Sequence, residues 1–280
     1  MLNIAITIDC DFNGYNPFEG KISFNKKDFD RNLLELILYI QRENIPAFFL
    51  IHTSIFIRKE FSNMFYTDAY YKKIWKKLYD TGHAIGLHPH EEEIGGIYYY
   101  YYSEYMDRII SGHAELLYDN GINPCSIRFG FFTLAEGTLK SLEKNNILIS
   151  FDNMGGYLSC TSNHFENAPC APYFYSYFDK EKAGDSKIFS IPLGMDDSHK
   201  LWKGLVPEAN SSDEQILLLD WLAKKHADSN SVYNLLIHAY NFLPQNKNIT
   251  ETISYIKKDL RMKIADISAI NTLRQNYSML

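Results

Sequence analysis

The sequence predicts an α/β fold, a (β/α) barrel, from two observations. Short apolar segments rich in β-branched residues alternate with helical segments along most of the chain, as in βα units with a parallel sheet. Most of these apolar segments end in an acidic residue, an arginine or a histidine. The chain has 280 residues, a length that one α/β barrel commonly occupies, so we expect a single domain over residues 1–280.

The alternation follows the chain in order. Residues 2–9 predict a buried strand, and residues 28–43 predict a helix with apolar side chains at helical spacing. Further strands are predicted at 47–52, 83–88, 126–129, 147–151, 187–193 and 235–238, and further helices at 70–80, 105–120, 136–145 and 212–226. Between residues 155 and 185 the pattern gives way to Tyr, Asn, Ser and Pro, which predicts a long loop over one end of the sheet.

Composition and charge exclude several classes of function. The net charge is −6 and the basic residues are scattered, which argues against a nucleic-acid partner. The four cysteines form no C-x-x-C pair and have no metal-finger spacing. A basic leader and an apolar stretch of about 18 residues are both missing, so we expect no membrane span and a soluble cytoplasmic protein.

Two carboxylates end the first predicted strand. Asp9 and Asp11 would project to one face while Cys10 points to the other, because side chains alternate along a strand. Two carboxylates at an apolar strand end repel each other unless a cation or a shared proton offsets the repulsion. The pair therefore indicates a metal site, or alternatively a pair of caps for turn amides at the start of a loop.

A cluster of histidines and acids follows the third predicted strand. His88 and His90 share a face if the chain stays extended, whereas His88 and Glu92 meet if it turns helical after Pro89. Either arrangement offers ligands suited to zinc or a similar divalent ion. A solvated histidine-rich loop is the alternative.

Other polar residues at strand ends are less specific. His238 closes the last predicted strand, where a lone histidine is more often a structural hydrogen bonder, and Arg128 could be a simple salt-bridge partner. Asp152 follows the fifth strand. The tyrosine run at 98–102 could stack on sugar rings or lie on a surface loop.

Taken together, these segments resemble the polysaccharide deacetylase family, also called the NodB homology domain or carbohydrate esterase family 4. Five segments carry the resemblance: Thr7-Ile8-Asp9-Cys10-Asp11, Ala47-Phe48-Phe49, residues 82–88, Ile127-Arg128-Phe129-Gly130 and Leu236-Ile237-His238. They occur in the family's order, and the likeness as a whole covers the chain from residue 4 to about residue 242.

The resemblance implies a distorted seven-stranded barrel and a metal-dependent hydrolase that removes an acetyl group from an N-acetylated sugar or saccharide precursor. It makes Asp9 the general base, Asp11 and His88 metal ligands, and His238 the general acid. It also implies that Arg128 orients Asp9 and that Asp152 lies near His238. The implied cofactor is a divalent metal, zinc first among the candidates.

The sequence departs from the family pattern at three places. Cys10 separates two aspartates that are adjacent in the family, Glu92 stands where the family has a histidine, and no proline follows Arg128. The third metal ligand therefore stays open: the family register favours Glu92, and the shared strand face favours His90. A metal-independent amidohydrolase on a small amide and an inactive carbohydrate-binding barrel remain alternative functions, and the sequence does not indicate an oligomeric state.

Overall fold

Parallel strands alternate with helices along most of the chain. The computed structural model describes residues 1–11, 15–16, 21–22, 25–54, 59–93, 97–154, 165–196, 204–227 and 229–277. Its strands are β1 (Leu2–Cys10), β2 (Tyr15–Asn16), β3 (Lys21–Ile22), β4 (Phe48–Thr53), β5 (Ala84–Pro89), β6 (Glu92–Glu93), β7 (Ile97–Tyr98), β8 (Ser126–Ile127), β9 (Ile149–Ser150), β10 (Tyr173–Phe174), β11 (Phe189–Ser190), β12 (Val232–His238) and β13 (Met262–Ile264). Its α-helices are α1 (Lys26–Arg42), α2 (Lys59–Thr67), α3 (Ala69–Asp80), α4 (Ser103–Asp119), α5 (Leu139–Lys144), α6 (Ser212–Lys225), α7 (Asn246–Lys258) and α8 (Ile267–Tyr277).

The main sheet curls into a barrel. Its strands follow the order β10-β11-β9-β8-β5-β4-β1-β12, with β13 paired to β1, and β10 is the antiparallel member of this sheet. Beyond β11, Leu193 makes a parallel bridge to Asn234 of β12, and this bridge joins the two sides of the curled sheet. Among the described residues, seven parallel strands thus run around the barrel, and the predicted (β/α) barrel is confirmed. The β2–β3 and β6–β7 pairs are separate small hairpins.

Side chains of the barrel strands alternate between the interior and the helical layer. On β1, Ile4, Ile6, Ile8 and Cys10 belong to the apolar cluster that includes the helices, whereas Ala5 belongs to a second cluster with Phe48, Leu50 and Ala84. Because the period is two residues, Asp9 lies on the same inward side as Ala5. Strands covered on both sides need apolar residues at nearly every position, and all nine residues of β1 are buried.

The predicted elements up to residue 151 agree in type with the structure, and several differ in length. The fourth strand ends at Ile127 because Gly130 begins a 3₁₀ turn, so Arg128 follows the strand. Within the predicted 155–185 loop, β10 forms an antiparallel edge strand, and residues 155–164 lie outside the described part of the chain. Helices α2, α7 and α8 and strand β13 were not predicted from the sequence.

The last helix closes the amino end of the barrel. Ile270 and Leu273 of α8 pack into the same apolar cluster as Ala5 and Phe48. The carboxyl ends of the parallel strands therefore form the open end. No described helix is both long enough and apolar enough to cross a membrane.

Candidate active site

Three side chains that could hold a metal ion converge at the carboxyl ends of β1 and β5. One carboxylate oxygen of Asp11 and one ring nitrogen each of His88 and His90 lie within 4.8 Å of one another, and all three residues are buried. The Nε2 atoms of His88 and His90 are 3.1 Å apart, and Oδ2 of Asp11 is 3.2 Å from Nε2 of His90. Two imidazole nitrogens and a carboxylate form a donor set typical of zinc and similar divalent ions.

The ring of His88 is oriented by a backbone carbonyl. Its Nδ1–H donates to the carbonyl oxygen of Arg128 at 2.8 Å, which leaves the Nε2 lone pair directed at Asp11 and His90. Burial lowers the pKa of His88 to about 4, against the raising effect of the nearby Asp9. A neutral imidazole whose second nitrogen donates to a carbonyl is the usual state of a metal-ligating histidine.

His90 takes the third position of this group. A Cβ atom on Gly130 would lie only 2.5 Å from Nδ1 of His90, so the absence of a side chain there allows the ring to approach. The ring of Phe131 packs edge-on against His90 with centroids 5.6 Å apart. Of the two alternatives from the sequence, the structure brings His90 to the group, because β5 continues extended through Pro89. The backbone of Glu92 lies in β6, and its side chain lies outside the described residues.

A fourth histidine, His52, lies beside the group. His52 is level with His88 in the register of β4 and β5, and it is fully buried. Its Nδ1 is 3.6 Å from Oδ1 of Asp11, and its ring centroid is 5.6 Å from that of His90. Burial would raise the pKa of Asp11, but the surrounding histidines hold it well below its usual range. The sequence offered a signal for His52, since it ends an apolar strand as His88 and His238 do.

Asp9 is held by a buried ion pair with Arg128. Nη1 of Arg128 donates to Oδ1 of Asp9 at 2.6 Å, and both side chains are buried. The other guanidinium nitrogens donate to Thr7 at 2.7 Å, Asn234 at 2.8 Å and the carbonyl oxygen of Phe151 at 3.2 Å. Oδ2 of Asp9 points the other way, 3.6 Å from Nε2 of His88. One carboxylate oxygen is therefore fixed by Arg128, and the second faces the metal-ligating group.

His238 contacts a carboxylate that the sequence analysis missed. Its Nδ1–H makes a short hydrogen bond to Oε1 of Glu208, which also accepts from the backbone N–H of His238 at 2.9 Å. Burial lowers the pKa of His238, but the charge and hydrogen bond of Glu208 outweigh this effect and raise it. Tyr240 packs against the imidazole with ring centroids 5.3 Å apart. Glu208 belongs to no motif and to no predicted element, so the sequence carried no signal for it.

The carboxylate of Asp152 is hydrogen-bonded to a residue of β9 and to one of the segment after β8. Its Oδ1 accepts from the backbone N–H of Phe129 at 2.7 Å, and its Oδ2 accepts from Oγ of Ser150 at 2.8 Å. We expected Asp152 near His238, but the carboxylate that contacts His238 is Glu208. Burial raises the pKa of Asp152 to about 7. Asp152 thus fixes the backbone next to Arg128.

The tyrosine segment is attached to the strand that carries the histidines. Tyr105 donates a short hydrogen bond to the buried carboxylate of Glu91, and Tyr100 accepts from the backbone N–H of Glu91 at 2.9 Å. Tyr101 and Tyr102 are 52% and 59% exposed and line a cleft of about 500 Å³. The side chain of Tyr98 lies outside the described residues. Because the loop leaves the carboxyl end of β5, this cleft lies at the same end of the barrel as the histidines.

Comparisons with solved structures identify the fold. A protein of Mycobacterium smegmatis assigned as a polysaccharide deacetylase matches with a TM-score of 0.65 and 15% identity, over 99% of this chain and 91% of the other. A polysaccharide deacetylase assignment from Pseudomonas aeruginosa matches at 0.63 and 10% identity, over 99% and 91%. An allantoinase matches at 0.62 and 11% identity, over 99% and 90%. The chain thus has the fold of polysaccharide deacetylases, as the motifs indicated.

Comparison of the sequence alone finds no related protein. The sequence matches no protein-family profile and no curated protein sequence. The structural matches therefore establish the barrel fold. The side chains at its open end, and not the fold, determine the chemistry.

Proposed function

We propose that this protein is a metal-dependent amide hydrolase that removes the acetyl group from an N-acetylated sugar or saccharide precursor. One observation carries the proposal. Asp11, His88 and His90 form a buried donor set. Two charged pairs, Asp9–Arg128 and His238–Glu208, accompany it, and Asp9 and His238 lie on neighbouring strands at the same barrel end. The shared fold with deacetylases supports this assignment.

The donor set fits a divalent ion. Asp11, His88 and His90 would hold it, and zinc is one of the ions that two imidazoles and one carboxylate commonly bind. A bound divalent ion polarises a carbonyl oxygen and acidifies water near neutral pH. The fixed tautomer of His88 and the low pKa of Asp11 both favour the deprotonated donors that such an ion requires.

Asp9 is the proposed general base. Its Oδ2 faces the donor set, and its Oδ1 is fixed by Arg128, so the carboxylate cannot rotate away. Asp9 would take the proton of the attacking water as it adds to the acetamide carbon.

His238 is the proposed general acid. Its backbone pairs with that of Asp9 across β1 and β12, so the two side chains leave adjacent strands at the same level. Glu208 accepts the hydrogen bond from Nδ1–H of His238, which leaves Nε2 for the substrate. Glu208 also raises the pKa of His238, which favours the protonated ring. The side chain is 26% exposed, so substrate can reach it. His238 would then protonate the departing amine.

The sugar part of the substrate would lie toward the tyrosine cleft. Tyr101 and Tyr102 offer exposed rings at the same barrel end, and aromatic faces pack well on the apolar faces of sugar rings. This placement favours a saccharide over a small cyclic amide, although the fold is also that of an allantoinase.

The proposal is tested with purified protein and acetylated substrates. The metal content is measured by elemental analysis, the protein is stripped with a strong chelator, and acetate release from N-acetylglucosamine oligomers is followed before and after adding zinc, cobalt or nickel. We expect activity to be lost on stripping and restored by the ion. Full activity in metal-free protein would favour a metal-independent amidohydrolase. Metal binding without turnover of any amide would favour an inactive carbohydrate-binding barrel.

A further inference from the structure

A second cavity lies at the opposite end of the barrel from the proposed active site. It has a volume of about 570 Å³, within the range of small-molecule sites. Its walls are the segment from Gly184 to Lys187, which precedes β11, and the last turns of α8 with Arg274 and Tyr277. Because β11 runs parallel to β9, a segment that precedes it lies at the amino end of the strands.

The cavity is lined by a partly buried cation, Arg274. Nε of Arg274 is buried and has no hydrogen-bond partner in the described part of the chain. Burial lowers the pKa of Arg274, and no acidic side chain among the described residues offsets this effect. A buried N–H without an acceptor is unfavourable, and an anion bound beside Arg274 would supply one.

Other lining residues add charge and an apolar wall. Lys187 supplies a second positive charge, and no described carboxylate lies within ion-pair distance of its ammonium group. Phe174 and Tyr277 both pack against Phe189, with ring centroids 5.2 and 5.3 Å apart, and present rings to the cavity. Asp185 is the acidic lining residue and forms no described ion pair with Arg274.

The wall is rigid enough to be a preformed site. The backbone N–H of Gly184 donates to the carbonyl oxygen of Phe174 at 2.9 Å, and that of Ser186 donates to the carbonyl oxygen of Tyr175 at 3.0 Å. A Cβ on Gly184 would lie 2.4 Å from the Cα of Ser176, so this loop packs directly onto its neighbour. A preformed wall reduces the entropy that the protein loses when a ligand binds.

We propose that this cavity binds a small organic anion, with its carboxylate or phosphate on Arg274 and Lys187 and its apolar body against Phe174 and Tyr277. A planar guanidinium can bind either a carboxylate or a phosphate through two parallel hydrogen bonds, so the proposed ligands include anions of both kinds. The aromatic wall adds a preference for anions that carry a ring over inorganic ions. This site is independent of the proposed hydrolase activity.

Calorimetry with phenyl phosphate, benzoate, inorganic phosphate and the uncharged benzyl alcohol tests the proposal. We expect phenyl phosphate or benzoate to bind more tightly than inorganic phosphate, and benzyl alcohol not to bind. Arg274→Gln should weaken binding about tenfold or more, the value expected for losing a charged hydrogen bond. Lys187→Gln should weaken it less. Arg31→Gln removes an exposed arginine of α1 and should bind like wild type.

Two further variants serve as controls. Asp11→Asn alters the proposed metal group, and retained binding of phenyl phosphate in this variant separates the cavity from the active site. If Arg274→Gln does not fold, Arg274→Lys replaces it. This variant keeps the charge without the planar guanidinium and should bind phenyl phosphate more weakly than wild type. Phenyl phosphate should also raise the melting temperature of wild type, and at the same concentration it should raise that of Arg274→Gln less. Failure of wild type to bind any of the anions would overturn the proposal, as would equal losses in Arg274→Gln and Arg31→Gln.

Discussion

Asp9 and His238 occupy directly paired positions on two neighbouring parallel strands, β1 and β12. Each side chain has its own charged partner, because Asp9 contacts Arg128 and His238 contacts Glu208. Arg128 donates a hydrogen bond to Asp9, whereas Glu208 accepts the Nδ1–H of His238 and raises the pKa of that imidazole. The proposed base and the proposed acid thus lie side by side at the open end of one barrel.

We expect Asp9→Asn to lower the rate of amide hydrolysis about a hundredfold or more while metal binding is retained, since removing a general base typically costs this much. The measurement is the turnover number together with metal content by elemental analysis. Asp11→Asn is the matched comparison, because it should lose metal as well as activity. A loss of metal in Asp9→Asn would make Asp9 a ligand, and wild-type rates would exclude it from the mechanism.

The ion pair between Arg128 and Asp9 should also support the fold. Arg128→Met leaves the buried carboxylate of Asp9 without its cation, and breaking such a pair costs about 3–5 kcal/mol in the free energy of unfolding. Lys247→Met breaks an exposed pair with Glu251, whose side chains are 83% and 44% exposed, and should cost less than about 1 kcal/mol. Urea unfolding of both variants gives the comparison. Equal losses would show that burial adds nothing to the Arg128 pair.

The sequence predicted the barrel because each strand and helix has its own local signal. β1 is apolar at nearly every position and α1 has apolar residues at helical spacing, so neither depends on distant contacts to be recognised. The strand ends at Asp9, Asp11, His88 and His238 were predicted for the same reason. In contrast, β10 has two residues and pairs only through its contact with β11, which no local pattern encodes.

The partners of the site residues could not be predicted in the same way. Glu208 reaches His238 across 30 positions of sequence from a segment without periodicity. Asp152 lay at the expected position in the sequence, yet its carboxylate turns to Ser150 and to the amide of Phe129. Side-chain direction after a strand end depends on the local turn, and the sequence pattern specifies the strand more than the turn.

The assignment of the third metal ligand is open to direct measurement. His90→Ala should lower metal affinity tenfold or more, because it removes a nitrogen within 4.8 Å of the other two donors. Glu92→Ala is the comparison variant and should bind metal like wild type. Calorimetric titration with zinc measures both. A larger loss in Glu92→Ala would restore the ligand set of the family register, and two unchanged affinities would place any metal elsewhere.

Gly130 should control the position of His90. In Gly130→Ala the new Cβ would lie 2.5 Å from Nδ1 of His90 and 2.7 Å from the hydroxyl oxygen of Tyr100, so the imidazole has to move. We expect weaker zinc binding together with a loss of stability. Gly112→Ala is the control, because its Cβ would have no neighbour within 4 Å, and alanine is favoured over glycine in a helix such as α4. Unchanged zinc affinity in Gly130→Ala would mean that His90 is not held in place by this contact.

The buried carboxyl of Asp152 should make stability depend on pH. Its pKa is about 7 in the folded protein, and about 3.9 is expected for an unfolded chain. Between these values the folded state binds more protons than the unfolded state, so the contribution of Asp152 to the free energy of unfolding falls as the pH rises and is constant above the folded pKa.

Asp152→Asn removes this dependence, and its amide can still accept from Phe129 and donate to Ser150. The stability of wild type relative to Asp152→Asn should therefore decrease from about pH 4.5 to about pH 7.5 in urea unfolding. Asp119→Asn, which changes an exposed carboxyl at the end of α4, corrects for the loss of one negative charge. A stability difference that stays constant over this range would show that Asp152 is ionised throughout and that hydrogen bonds from Ser150 and Phe129 outweigh the effect of burial.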